Sequence, residues 1–235
     1  MADAKIKVTK NGPYLITGKL PLDKQIITLG KENEPETWVQ GETLPDQETY
    51  ALCRCGKSNS KPYCDGSHVK VNFNGDETAS KEKYEKQAQT IEGPNLDLAD
   101  AQPLCSSMRF CHRSGGTWNL TENSNDPKAK AIAIEGGCNC ASGRLVPIDK
   151  KTGKPIEKKF EKSISLVEDP QKGVSGPIWA KGGVQVESCE GFKYEIRNRQ
   201  TLCRCGESQN KPFCDGCHID ANFNDGDKSL KKGKK

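Results

Sequence analysis

The chain has 235 residues, 33% of them hydrophobic, with 36 Lys and Arg against 32 Asp and Glu, a formal net charge of +4. A core this thin calls for another source of folding free energy, such as bound metal. The mild positive excess gathers in Lys228-Ser229-Leu230-Lys231-Lys232-Gly233-Lys234-Lys235 and reads as a solvated end, giving no ground for a nucleic-acid partner.

Met1-Ala2-Asp3-Ala4-Lys5 has no apolar stretch of the signal-peptide kind, and no apolar run reaches membrane-span length. A cytoplasmic location without membrane contact is therefore expected. In that compartment twelve cysteines in tight pairs read as metal ligands, not disulfides.

Along the chain, the stretch around Ile6/Val8 alternates apolar and polar residues, predicting strands, and Gly12-Pro13-Tyr14-Leu15 resembles Gly176-Pro177-Ile178-Trp179. Leu52-Cys53-Arg54-Cys55-Gly56 and Lys61-Pro62-Tyr63-Cys64-Asp65-Gly66-Ser67-His68 follow. Residues 78–89 fit helix or strand equally. Next come Cys105 and Cys111. Asp126 is placed as the N-cap of a short helix with Pro127 in its first turn, Ala129 to Ile134 as its body and Gly136 as its end. Cys138 and Cys140 come next, then a hairpin turn at Lys151-Thr152-Gly153-Lys154-Pro155. Val184/Val186 alternate again, and residues 202–218 repeat the motif of 52–68 at an offset of 150 without a gap, as do Asn72-Phe73-Asn74 and Asn222-Phe223-Asn224. Upstream the offset is 164, so the first copy holds extra loop residues. The expected division is an N-terminal half at 1–75, a middle module at 76–160, a C-terminal half at 161–226 and a basic tail at 227–235.

Each copy reads C-x-C-x8-C-x3-H. The C-x-C pair can put two thiolates on one metal, and the third cysteine and histidine can hold another. Three thiolates and one imidazole suit zinc or a [2Fe-2S] cluster, and spacing alone does not separate them. Gly66 and Gly216 place bare backbone N–H groups beside the site, Asp65 and Asp215 are placed to cap the turn presenting the histidine, and Pro62 and Pro212 stiffen the approach. Arg54 and Arg204 read either as tuning site charge or as surface ion pairs. Cys217 reads as a packed replacement for serine, Cys189 as a small buried side chain, and His112 as a neighbour of a ligand.

The stretch Cys53-x-Cys55 … Pro62-x-Cys64-Asp65-Gly66-Ser67-His68 resembles the CDGSH, or NEET, iron–sulfur family, and the second copy matches it except at Cys217. The resemblance implies two [2Fe-2S] clusters, on Cys53, Cys55, Cys64 and His68 and on Cys203, Cys205, Cys214 and His218. It also implies a small β-rich fold whose two CDGSH halves pair by pseudo-two-fold symmetry within one chain, giving a monomer with an internal pseudo-dimer.

Cys105 and Cys111 are spaced like the outer cysteines of a ferredoxin loop, with Met108 at the middle position. Cys140-Ala141-Ser142-Gly143-Arg144-Leu145 looks like the remote ferredoxin cysteine, with Ala141 in place of the usual proline. Residues 104–147 resemble the divergent mono-cluster ferredoxin family. An inserted α+β cluster module follows from that, holding a third Fe–S cluster. It would be [3Fe-4S] on Cys105, Cys111 and Cys140, or [4Fe-4S] if Cys138 is the fourth ligand.

No catalytic constellation appears, and two of the three histidines are assigned as ligands. The expected function is electron transfer, not enzymatic catalysis, with a redox protein or an apo Fe–S acceptor as partner. The alternatives are a cluster carrier, a redox or pH sensor, or a zinc-stabilised interaction module.

Overall fold

In the computed structural model, residues 4–230 are described. Met1 to Asp3 of the amino-terminal stretch and 231–235 of the basic tail lie outside them.

The first half supplies β1 (Lys5–Val8), β2 (Tyr14–Thr17), β3 (Leu22–Leu29), β4 (Pro35–Thr43), β5 (Thr49–Leu52) and the single-turn α1 (Ser67–Lys70). The middle supplies α2 (Tyr84–Gln87), β6 (Gln89–Ile91), β7 (Leu96–Asp100), α3 (Thr117–Glu122), α4 (Pro127–Cys138) and β8 (Leu145–Asp149). The second half supplies β9 (Ser163–Asp169), β10 (Val174–Lys181), β11 (Gln185–Glu187) and β12 (Arg199–Leu202). The fold is β-rich with few helices, as expected.

The alternating stretches form strands because alternate side chains point to the core. Ile6, Val8, Tyr14 and Ile16 are fully buried. β1 pairs with β2 and β2 with β5, both antiparallel, and β5 runs straight into Cys53. The second half repeats this: β9 pairs with β10, β10 with β12, and β12 runs into Cys203. The remaining strands cross over. β3 pairs in parallel with β9, and β11 in parallel with β1. The sheets therefore read β11-β1-β2-β5 and β12-β10-β9-β3-β4. Each half completes its sheet with strands of the other, β11 joining the first and the β3–β4 pair the second. One core draws on both, including Ile6, Ile16, Leu52, Ile164, Leu166, Ile178, Val186 and Leu202. Fully burying a side chain of this kind contributes about 1.5–3 kcal/mol.

Three elements differ from the sequence-based expectation. The extra residues of the first copy form the β3–β4 hairpin. β4 is exposed at most positions, so it shows no period-two pattern. The helix opened by Asp126, whose carboxylate accepts from Lys128 N (3.0 Å), does not end at Gly136 but continues to Cys138. Gly136 and Gly137 serve close packing instead. A Cβ at Gly136 would sit 2.6 Å from Thr117 Oγ1, and one at Gly137 2.5 Å from Pro147 Cγ. Finally, the start of the tail is docked: Asp227 pairs with Lys24 (2.6 Å) and Leu230 is buried.

The middle sheet is ordered β6-β7-β8 and packs with α3 and α4 around Leu96, Leu120, Ala129 and Ala133. The turn at Gly153 closes a hairpin, as expected. Met108, at the middle ferredoxin position, is a core residue with Phe110 and Ala141. Phe110 stacks on Trp38 of β4 (4.6 Å between centroids), and Trp38 on Trp179 of β10 (5.0 Å), joining the module to both halves.

Candidate metal centres

In each CDGSH copy the strand entering the motif also positions its third cysteine. Cys64 N donates to Ala51 O (2.9 Å) and Cys214 N to Thr201 O (2.9 Å). Cys53 N donates to Pro62 O and Cys203 N to Pro212 O, which folds each loop back on its C-x-C turn. Asp65 accepts from Ser67 N (2.9 Å) and Asn59 N (2.8 Å). Asp215 accepts from Cys217 N (3.1 Å) and Gln209 N (2.8 Å). The aspartates thus tie the loop at both ends, close to the expected capping role.

The donors stand in two pairs per site. Cys53 Sγ lies 3.7 Å from Cys55 Sγ, and Cys64 Sγ 3.4 Å from His68 Nδ1. The second site repeats this at 3.6 Å (Cys203–Cys205) and 3.5 Å (Cys214–His218 Nδ1). Two thiolates about 2.3 Å from one tetrahedral metal lie roughly 3.8 Å apart, and a thiolate–imidazole pair roughly 3.5 Å apart. Each pair therefore has the spacing of two ligands on one metal. Among the described residues no three such side chains converge on a single ion. A two-iron cluster, which takes two protein ligands per iron, fits this donor set.

Electrostatics within each pair are lopsided. A hydrogen bond from the second thiol lowers the pKa of Cys53 and of Cys203, while the same bond raises those of Cys55 and Cys205. Gly216 N donates to Cys214 Sγ (3.4 Å), the backbone–sulfur contact the glycine was expected to allow. Burial raises the Cys214 thiol.

The two C-x-C turns lie back to back. A Cβ on Gly56 would overlap Cys205 O, and one on Gly206 would sit 2.6 Å from Cys55 O. Tyr14 of the first half shares its hydroxyl between Cys203 O and Pro212 O of the second (2.8 and 2.9 Å).

Arg54 and Arg204 are buried, not surface, residues. Arg54 donates to three carbonyls, of Thr9, Gly12 and Gly75, and lies against Tyr14 and Phe73. Arg204 donates to Gly176 O and Val167 O and pairs with Glu168 (2.7 Å) and Asp225. The two histidines also differ. His68 is half-buried. His218 is 1% exposed, its Nε2 has no partner, and burial, with Arg204 adding to it, lowers its pKa to about 4. The outer nitrogen of His218 therefore does not reach solvent.

In the middle module Cys105, Cys111 and Cys140 lie within electrostatic reach of one another. Burial, then negative charge on Cys140 and Cys105, pushes the Cys111 thiol up to about 12. Arg144, paired with Asp100 (2.5 Å), faces Cys105. The structure does not bring Cys138 to this group. In the last turn of α4, its thiol donates to Ile156 O (3.4 Å), and its charged neighbours are Arg199, Glu157 and Lys158. The helix running past Gly136 accounts for this, because it holds Cys138 on a face turned to 156–158. His112 is exposed and Cys189 half-buried. Cys217 Sγ sits 2.6 Å from Asp215 Oδ1. All twelve cysteines are free thiols.

Residues 11–69 and 175–219 match the model of the iron-binding zinc finger family of CDGSH type. Residues 91–150 match the divergent 4Fe-4S mono-cluster model. No curated protein and no solved structure matches the chain significantly. Donor chemistry and family matches together define an iron–sulfur protein. Its two CDGSH-type regions flank a divergent mono-cluster region. Among the described residues no helix is long and apolar enough to cross a membrane.

Proposed function

We propose that this chain is an electron-transfer protein of the cytoplasm with three iron–sulfur centres and no enzymatic chemistry of its own. Cys53, Cys55, Cys64 and His68 would hold one [2Fe-2S] cluster and Cys203, Cys205, Cys214 and His218 another. Cys105, Cys111 and Cys140 would hold a third cluster, of three irons or of four with a ligand other than Cys138. The observation that carries the reading is the pairing of donors at metal-ligand spacing in both CDGSH copies. Such clusters supply one-electron storage, and histidine ligation raises their potential above that of all-cysteine clusters.

The two halves are read as paired about a pseudo-two-fold axis, with 76–160 as an insert. The reciprocal loan of β3 and β11 and the facing Gly56 and Gly206 support this. Backbone contact between the two C-x-C turns keeps both sites within short reach of each other.

A second reading, cluster carrier, is favoured at one place only: His68 is half-buried where His218 is 1% exposed, so its ring is the easier of the two for competitors for iron to reach. The two readings separate on mixing. Reversible reduction by an electron-transfer reductase, with full visible absorbance regained on reoxidation, is the expected result. Loss of that absorbance to an added apo-ferredoxin, without reversible reduction, would establish the carrier instead.

A further inference from the structure

The two CDGSH sites share a donor set but not an environment. At the second site Cys203, Cys205, Cys214 and His218 are all 5% exposed or less. At the first, Cys53 and Cys55 are buried, Cys64 and His68 are half-buried, and the neighbouring Val69 and Val71 are 70% and 48% exposed.

The inserted module makes the difference. A side chain at Gly216 would overlap Ser107 Oγ, whereas one at Gly66 meets nothing within 4 Å. Ser107 and Arg109 both have positive φ, 58° and 67°, so the backbone is bent to bring this loop down on the second motif. Asn210 Nδ2 donates to Pro103 O (3.0 Å). Arg109 pairs with Asp169 (2.7 Å), and both charges lie near His218. On the other flank Arg199 of β12, which leads into Cys203, donates to the carbonyls of Gly137 and Cys140 (both 2.7 Å). Arg197 donates to Ser142 O (2.9 Å). Among the described residues no hydrogen bond or ion pair joins 84–150 to the first motif at 53–68.

We infer that the loop at 103–109 is a fixed lid on the second site. It closes that site to solvent and to external proteins, leaving the first site, around His68, as the CDGSH face open to a redox partner. The second site is then an internal relay between the module's thiolates and the first site. An external donor loses one electron at one end of this line and an external acceptor gains it at the other; neither touches the second site. This rests on the function proposed above.

The test uses the full-length holoprotein with excess EDTA at neutral pH, in the absence of air. EPR of samples reduced at intervals follows each [2Fe-2S] signal. Access to a sealed site needs local opening, so its cluster should be lost about tenfold or more slowly than an open one. Two phases are expected, with His68→Cys altering the spectrum of the fast one and His218→Cys that of the slow one. Gly216→Ala should speed the slow phase by lifting Ser107. Gly66→Ala imposes a comparable positive-φ strain without a clash, and should leave the slow phase slow. One shared rate in the wild type, or a fast phase altered by His218→Cys, would overturn the lid. Iron and sulfide counts taken before EDTA is added show separately whether two [2Fe-2S] clusters are present at all.

Discussion

At the scale of single residues the repeat is not symmetric. Arg54 and Arg204 are placed alike between two thiolates, yet Arg54 meets only carbonyl oxygens while two carboxylates offset Arg204. An uncompensated buried cation favours added negative charge, so the first site should have the higher reduction potential. Arg54→Met should lower that potential and leave the second site's unchanged, read by EPR-monitored titration. It also strips three carbonyls of their donor, at about 1 kcal/mol each. The histidines differ in the same manner. A pKa lowered to about 4 by burial means that His218 takes a proton only well below neutrality. Acid therefore competes poorly with iron for its nitrogen, while His68 is reachable from solvent. On acidification from neutrality the absorbance should fall by one [2Fe-2S] cluster while His218, whose pKa is lowered to about 4, still holds the other, and His68→Cys should abolish the early loss. Simultaneous loss of both clusters would contradict this assignment.

Among the elements, α4 decides the make-up of the proposed third centre. Its extension past Gly136 carries Cys138 to Ile156 O and leaves Cys105, Cys111 and Cys140 as the facing set. Cys138→Ser should leave the module's EPR signal intact, whereas serine at Cys105, Cys111 or Cys140 should remove it and spare both CDGSH signals. Loss of the signal in Cys138→Ser would restore a four-cysteine site. Sequence alone could not make this choice. A Gly-Gly pair reads as a helix end unless Thr117 and Pro147 are known to press against it. The β3–β4 hairpin was hidden for a related reason: β4 is exposed on both faces, and such a strand loses the apolar alternation that marks a half-buried one. The CDGSH donors were legible because their local spacing is fixed by chemistry and repeats without a gap. The cover that Ser107 gives Gly216 depends on contacts more than a hundred residues apart, for which no local pattern exists.

For the whole molecule, the exchange of β3 and β11 makes the halves interdependent. Residues 1–75 alone would leave the backbone edges of β1 and β3 without their partners β11 and β9. That fragment should fail to hold a cluster by itself and regain one when co-produced with 76–235, as judged by visible absorbance. A fragment that holds its cluster alone would show that each half is self-sufficient. The thin hydrophobic content points the same way, since structural metal sites contribute folding free energy directly. In the function proposed above, the paired donors of the two CDGSH sites and the three thiolates of the module hold iron and sulfide at three centres. Elemental analysis for iron, zinc and acid-labile sulfide, with EPR of the as-isolated and dithionite-reduced holoprotein, tests it most directly. Iron and sulfide for two [2Fe-2S] clusters plus one three- or four-iron cluster are expected, with two distinct [2Fe-2S] signals on reduction; stoichiometric zinc without sulfide would rule out an iron–sulfur role.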